Sequence, residues 1–140
     1  ANLSVAENVA LAAHARGAAV ARDALARVGL ADRARQIAGT LSYGHQRLLE
    51  VAMGLALNPK LLILDEPTQG LSDAEIDNFI ALVRGLAGET TVLLIEHNMP
   101  VVMQLAGRIT VLDRGKILAE GTPAEIRSNR AVQAAYLGTG

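Results

Sequence analysis

A chain of 140 residues is enough for one ordinary domain, and 51% hydrophobic content is enough to bury a core. Thirteen basic against fourteen acidic residues leave a formal net charge of -1, which argues against a general binder of nucleic acid or of anionic membranes. Cysteine is absent, which excludes disulfides and cysteine metal sites, and no apolar run approaches the roughly 20 residues of a bilayer-spanning helix.

In chain order, the first residues lack a basic segment followed by an apolar stretch, so no signal peptide is expected. The chain opens on Ala1, and a fragment of a longer protein is expected. Three helix starts share one pattern: Ser4 with Glu7, Ser72 with Glu75, and Thr122 with Glu125 each form a capping-box sequence, the last with Pro123 at the first helical position. The first helix is expected over residues 5–16 with Gly17 as its stop, and the second over 18–28 with Gly29 as its stop. A third begins near Gly44 and ends before Pro59. Its apolar residues Leu48, Leu49, Val51, Ala52, Met53, Leu55 and Leu57 occupy most faces, which predicts deep burial.

The pattern changes at Leu61. Residues 61–64 are a short continuous apolar run, the mark of a strand covered on both faces. A helix over 73–86, with Ile76, Phe79, Ile80 and Val83 on one side, leads to a second such strand at 91–95. Strand–helix–strand at this spacing predicts a parallel pair. A short helix near 101–105 follows, then strands 108–112 and 116–120 around an Arg114–Gly115 hairpin turn, then two short helices. No internal repeat or low-complexity segment interrupts this order.

Asp65 and Glu66 leave the C-terminal end of a buried strand, where open α/β sheets bind ligands. One carboxylate can hold Mg²⁺ and the next can orient or deprotonate a water. The plainer reading is a solvated acid pair. Ser42 and Gly44 lie at a helix start, where exposed amides and the helix dipole favour an anion. Ser42 also reads as a simple cap, and the two roles are compatible. His97 follows the second strand and falls beside Glu66 if the strands are parallel. It reads as structural or as a phosphate contact; a metal role is disfavoured, because His14 and His45 lie in other segments.

These residues together carry a resemblance. Asp65-Glu66-Pro67-Thr68 resembles the Walker B segment and catalytic glutamate of ABC ATPases. Leu41-Ser42-Tyr43-Gly44-His45-Gln46 resembles their signature motif, usually Leu-Ser-Gly-Gly-Gln, with Tyr43 and His45 as departures. Ile95-Glu96-His97 resembles the switch histidine, and Gln69-Gly70-Leu71-Ser72 resembles the D-loop, with Ser72 in place of the usual aspartate. The match runs from about Asn2 to Gly138. It implies an α/β fold: part of a P-loop NTPase parallel sheet with an α-helical signature subdomain. The implied division is 1–58 for the helical subdomain, 59–121 for the core and 122–140 for the C-terminal helices.

The resemblance implies ATP and Mg²⁺ as cofactors, with Asp65 holding the metal, Glu66 as base or water-orienter and His97 sensing the γ-phosphate. Ser42, Tyr43, Gly44, Gln46, Gln69, Gly70 and Ser72 would complete a site shared with a second ATPase subunit, homo- or heterodimeric. It implies transmembrane permease subunits as partners, a periplasmic or extracellular solute-binding protein indirectly, and no nucleic acid. The place would be the cytoplasmic face of the plasma or inner membrane, peripherally. Residues 96–99, 121–126 and 135–138 resemble the branched-chain amino-acid importer subfamily, with its urea and amide relatives. An ABC ATPase of the DNA-repair or translation type is the alternative, but the long coiled coils of the first and the fused second domain and basic linker of the second do not occur in these residues. A non-enzymatic binding module is a third reading. No Gly-x-x-x-x-Gly-Lys-Ser/Thr occurs, and the two lysines, Lys60 and Lys116, fit no such loop. The 140 residues alone are therefore expected not to hydrolyse ATP, and their parallel strands to leave an apolar edge and face uncovered.

Overall fold

A computed structural model describes residues 2–137; Ala1 and Gly138, the first residue and the far end of the resemblance, lie outside the described residues. The chain divides into two compact units, Ala1–Asn98 and Met99–Gly140.

In the first unit, α1 (Val5–Ala13) opens with the expected capping box: the Ser4 hydroxyl accepts from the Glu7 amide at 3.2 Å, and the Glu7 carboxylate accepts from the Ser4 amide at 2.7 Å. The α-helix stops three residues earlier than its composition suggests. A 3₁₀ turn, His14–Arg16, carries the chain to Gly17 at φ 88°, the tightening common at helix ends. After α2 (Ala18–Arg27), Gly29 at φ 75° reverses the chain. The linker that follows runs back past the start of α1. The Val5 amide donates to the Gln36 carbonyl (2.8 Å) and the Ala6 amide to Ala34 (2.9 Å), satisfying donors that a helix N-terminus leaves unpaired.

The third helix, α3 (Tyr43–Ala56), packs against both α1 and α2, which also pack on each other. Val5, Val9, Leu25, Leu48, Val51, Ala52 and Leu55 are all buried. Leu57 is not: it sits at the helix C-cap, half exposed, and Asn58 at φ 50° turns the chain ahead of Pro59.

Strands β1 (Leu61–Asp65) and β2 (Thr91–Ile95) are parallel as expected, in register from Leu61 opposite Thr91 to Asp65 opposite Ile95. The crossover is α4 (Asp73–Gly85), which buries Phe79 and Ile80 and leaves Ile76 and Val83 half-buried. Helix α3 lies against β1, and at Gly54 an added Cβ would stand 2.9 Å from the Leu62 side chain. Leu62 and Leu64 are buried, but Leu61, Ile63, Leu93 and Ile95 are each more than 50% exposed. The strand suited to cover on both faces thus has it on one within these residues, leaving the uncovered apolar face that was expected.

In the second unit, α5 (Met99–Leu105) precedes the antiparallel hairpin β3 (Ile109–Asp113) and β4 (Lys116–Gly121). Arg114 and Gly115 have φ 46° and 76°, the two positive values of a type I′ turn. Thr122 caps α6 (Pro123–Ser128), Asn129 caps α7 (Arg130–Val132), and the Tyr136 hydroxyl donates to the Leu112 carbonyl. Ile109, Ile126 and Val132 form the core of this unit, joined by Val102, Met103 and Leu118.

Candidate functional site

The parallel register determines the site. Because Asp65 pairs with Ile95, the residues after each strand leave the sheet side by side. The Glu66 amide donates to the Ile95 carbonyl at 2.9 Å, extending the pairing one residue past β1. Glu66 itself adopts φ 46°, a left-handed conformation that a glutamate takes at a cost of about 1–3 kcal/mol. That turn brings its Oε1 to 3.2 Å from Nδ1 of His97. Both side chains remain open to solvent, His97 at 70% and Glu66 at 43%. Asp65, the last residue of β1, is exposed beside them. Among the described residues no group of three or more His, Cys, Asp or Glu could cage a metal. A lone strand-end carboxylate suits Mg²⁺ nevertheless, since that ion is commonly held by one or two carboxylates plus phosphate oxygens and water.

Glu96 shapes this corner, although its sequence position suggested no role. Its Oε1 accepts from the Thr68 amide (3.0 Å) and from the Thr68 hydroxyl. Its Oε2 accepts from the amides of His97 (3.1 Å) and Asn98 (3.2 Å). One carboxylate therefore ties the turn after β1 to the turn after β2. An acid just before the strand-end histidine was the only signal available, and its partner Thr68 lies 28 residues away in sequence.

A second cluster joins the N-terminus of α3 to the loop before α4. Ser42 caps α3, its hydroxyl accepting from the His45 amide at 3.3 Å. The same hydroxyl lies 2.7 Å from Nδ1 of His45, whose Nε2 lies 3.0 Å from Oε1 of Glu75. In the neutral ring, a proton on Nε2 facing the carboxylate leaves Nδ1 to accept from Ser42. Glu75 also accepts from the amide (2.8 Å) and hydroxyl (2.7 Å) of Ser72. These Ser72 bonds, backbone first, hold the Glu75 carboxyl below its ordinary range, with smaller help from the charges of His45 and Arg33.

The Tyr43 ring lies under the Arg47 guanidinium at 5.1 Å, and its hydroxyl donates to Gln69 at 3.2 Å. The added bulk at this position is thus directed along the 69–72 loop. Gln46 turns its amide back to the Leu41 carbonyl at 3.2 Å. Gly44 and Gly70 meet closely: a Cβ on Gly44 would stand 2.6 Å from the Gly70 carbonyl oxygen, and Gly70 holds φ 80°. Of the sequence-derived site residues, Asp65, Glu66 and His97 thus form one corner. Ser42, Tyr43, Gly44, Gln46, Gln69, Gly70 and Ser72 form a second, on α3 and the loop leading to α4.

Solved structures share the fold of parallel strands beside a helical layer. An ATP-binding cassette of an ABC transporter superposes with a TM-score of 0.84 at 25% identity, over 97% of this chain and 63% of that one. A bacterial Atm1-family ABC exporter with ATP bound shares the fold, with a TM-score of 0.86 at 20% identity over 100% of this chain and 27% of that one. Residues 1–69 match the family described as "ABC transporter", and residues 116–140 the family described as "Branched-chain amino acid ATP-binding cassette transporter". The chain belongs to the ABC transporter ATP-binding family. It is similar to the high-affinity branched-chain amino acid transport ATP-binding protein BraF of Pseudomonas aeruginosa, 47% identical over 116 residues. That alignment covers 81% of this chain and 46% of the relative. LivG of Escherichia coli, with the same description, is 46% identical over 117 residues, again 81% and 46%. The glutamine transport ATP-binding protein GlnQ of Bacillus subtilis is 36% identical over 118 residues, 84% and 49%. The chain spans about half the length of these curated relatives.

Proposed function

We propose that these residues belong to an ATP-hydrolysing subunit that energises import of branched-chain amino acids or a related small solute. The observation carrying this reading is the Glu66–His97 pair at 3.2 Å, set at the ends of two parallel strands beside Asp65. The names of the relatives support the transport assignment, and the match at residues 116–140 supports the choice of solute class.

In this reading Glu66 accepts the proton of, or orients, the water that attacks the γ-phosphate. His97 holds Glu66 in place and contacts the γ-phosphate with its imidazole. Asp65 holds Mg²⁺, which when bound neutralises charge on the phosphate oxygens. Ser42 and the α3 amides, with Gly44 keeping the backbone close, face the nucleotide of a second ATPase subunit at a helix N-terminus suited to anions. Tyr43, Gln46, Gln69, Gly70 and Ser72 shape that surface. The subunit works peripherally at the cytoplasmic face of the membrane with transmembrane permease subunits, and a solute-binding protein delivers the solute to them. Among the described residues no helix is long and apolar enough to cross a membrane.

The test is Glu66→Gln in the complete protein. It keeps size and leaves Asp65 in place, so ATP binding persists while hydrolysis falls by about 10²–10⁴-fold. The variant accumulates as an ATP-bound dimer, whereas Asp65→Asn instead weakens Mg²⁺ dependence. Parent-like hydrolysis by Glu66→Gln would return the acid pair to a solvated strand end.

A further inference from the structure

We infer that Glu96 is a positioning residue that sets the Glu66–His97 geometry by clamping the two turns on which they stand; this rests on the reading of Glu66 and His97 given above. Four donors reach Glu96, two on each oxygen: the Thr68 amide and hydroxyl on Oε1, the His97 and Asn98 amides on Oε2. A carboxylate offers about four acceptor sites, so its capacity is used in full. The donors come from two separate segments. Thr68 lies two residues after Glu66 and is buried, at 5% exposure; His97 and Asn98 form the turn that carries the imidazole. A further tie between these turns is the Glu66 amide on the Ile95 carbonyl. Glu66 and His97 are themselves well exposed, so packing does little to hold them. Their separation is then governed by backbone placement, and Glu96 governs the backbone on both sides.

The chemistry requires a carboxylate here. Glutamine has the same shape but only one acceptor oxygen, and its amide group would face N–H donors of Thr68 or of His97 and Asn98. Aspartate is one methylene shorter and cannot span both turns. A misplacement of about 1 Å at a reacting group can cost about 10²-fold in rate, which sets the upper scale of the effect.

The experiment measures ATP turnover, ATP affinity and thermal midpoint in the complete protein for Glu96→Gln, His97→Ala, the double variant and Glu66→Gln. Glu96→Gln is expected to lower kcat about ten- to a hundredfold with KM for ATP and ATP affinity unchanged. The double variant is expected to fall no lower than the less active of the two single variants, because Glu96 acts by keeping Glu66 and His97 paired and His97→Ala already removes that pair. Parent-like kcat in Glu96→Gln overturns the inference, and so does a double variant whose losses multiply. If Glu96→Gln does not fold, Thr68→Val removes one donor at constant shape. It must then lower kcat without changing ATP affinity and without multiplying the His97→Ala loss, and either failure overturns the inference. Parent-like turnover in Glu66→Gln separates the cases: it overturns the underlying reading of the site, and the inference with it, whatever Glu96→Gln does.

Discussion

Gly44 stands where any side chain would strike backbone. Its missing Cβ leaves room for the Gly70 carbonyl at 2.6 Å and the Leu71 side chain at 2.9 Å from the position that atom would take. A carbonyl in a glycine turn at φ 80° cannot swing aside as a flexible side chain can. Gly44→Ala is therefore expected to destabilise the protein by about 1–3 kcal/mol, read as a lower denaturation midpoint. Gly85 is the control. It lies in α4 with nothing within 4 Å of a built Cβ, so Gly85→Ala is expected to stabilise by about 0.5–1 kcal/mol through helix propensity. Equal effects at the two positions would show that the contact of the α3 turn with the 69–72 loop is not close. Glu66 shows the other kind of residue-scale constraint, a left-handed backbone kept at the one place where its carboxylate meets His97.

Three capping boxes anchor α1, α4 and α6, and each depends on an ionised glutamate. Hydrogen bonds from Ser4, side chain before backbone, lower the Glu7 pKa from its ordinary value of 4.5. Backbone and side-chain bonds from Ser72 and Thr122 do the same for Glu75 and Glu125. A carboxyl whose folded pKa lies below its unfolded one adds stability that is complete above the unfolded value and lost as pH falls through the folded one. The helices are thus expected to keep their caps at neutral pH and to lose them progressively below about pH 4.5. NMR titration of the carboxyl carbons should place the midpoints of these three glutamates below the ordinary value of 4.5. The variant Glu125→Gln should remove the acid dependence of the first turn of α6. A Glu125 midpoint at or above 4.5 would rule out the capping contribution there.

Across the 140 residues, the nucleotide site is only partly furnished. They contain Asp65, Glu66, His97 and the α3 turn, but no glycine-rich loop with its lysine to cradle the phosphates. The polypeptide 1–140 by itself is expected to show no saturable ATP binding in the micromolar range by calorimetry. Its sheet also presents Leu61, Ile63, Leu93 and Ile95 to solvent on one face. A contiguous apolar face of this kind favours self-association. By light scattering, 1–140 is expected to associate at concentrations where Ile63→Thr combined with Leu93→Thr reduces the effect. Micromolar ATP affinity, or a monodisperse monomer, would contradict these expectations.

Local patterns in the sequence determined the elements. The capping boxes, the apolar runs at 61–64 and 91–95, and the Arg114–Gly115 turn all act over a few neighbouring residues, and the structure has each of them. The parallel register followed from strand–helix–strand order, and with it the meeting of Glu66 and His97, since parallel strands release their next residues at the same edge. What only the tertiary structure decided were the couplings between distant segments. Glu96 reaching Thr68, Glu75 reaching His45, Tyr43 over the 69–72 loop and the Gly44–Gly70 approach each pair residues that have no periodic or spacing relation. Their side chains meet because α3, β1 and α4 pack as they do, and packing geometry is a property of the folded chain that no short window of sequence contains.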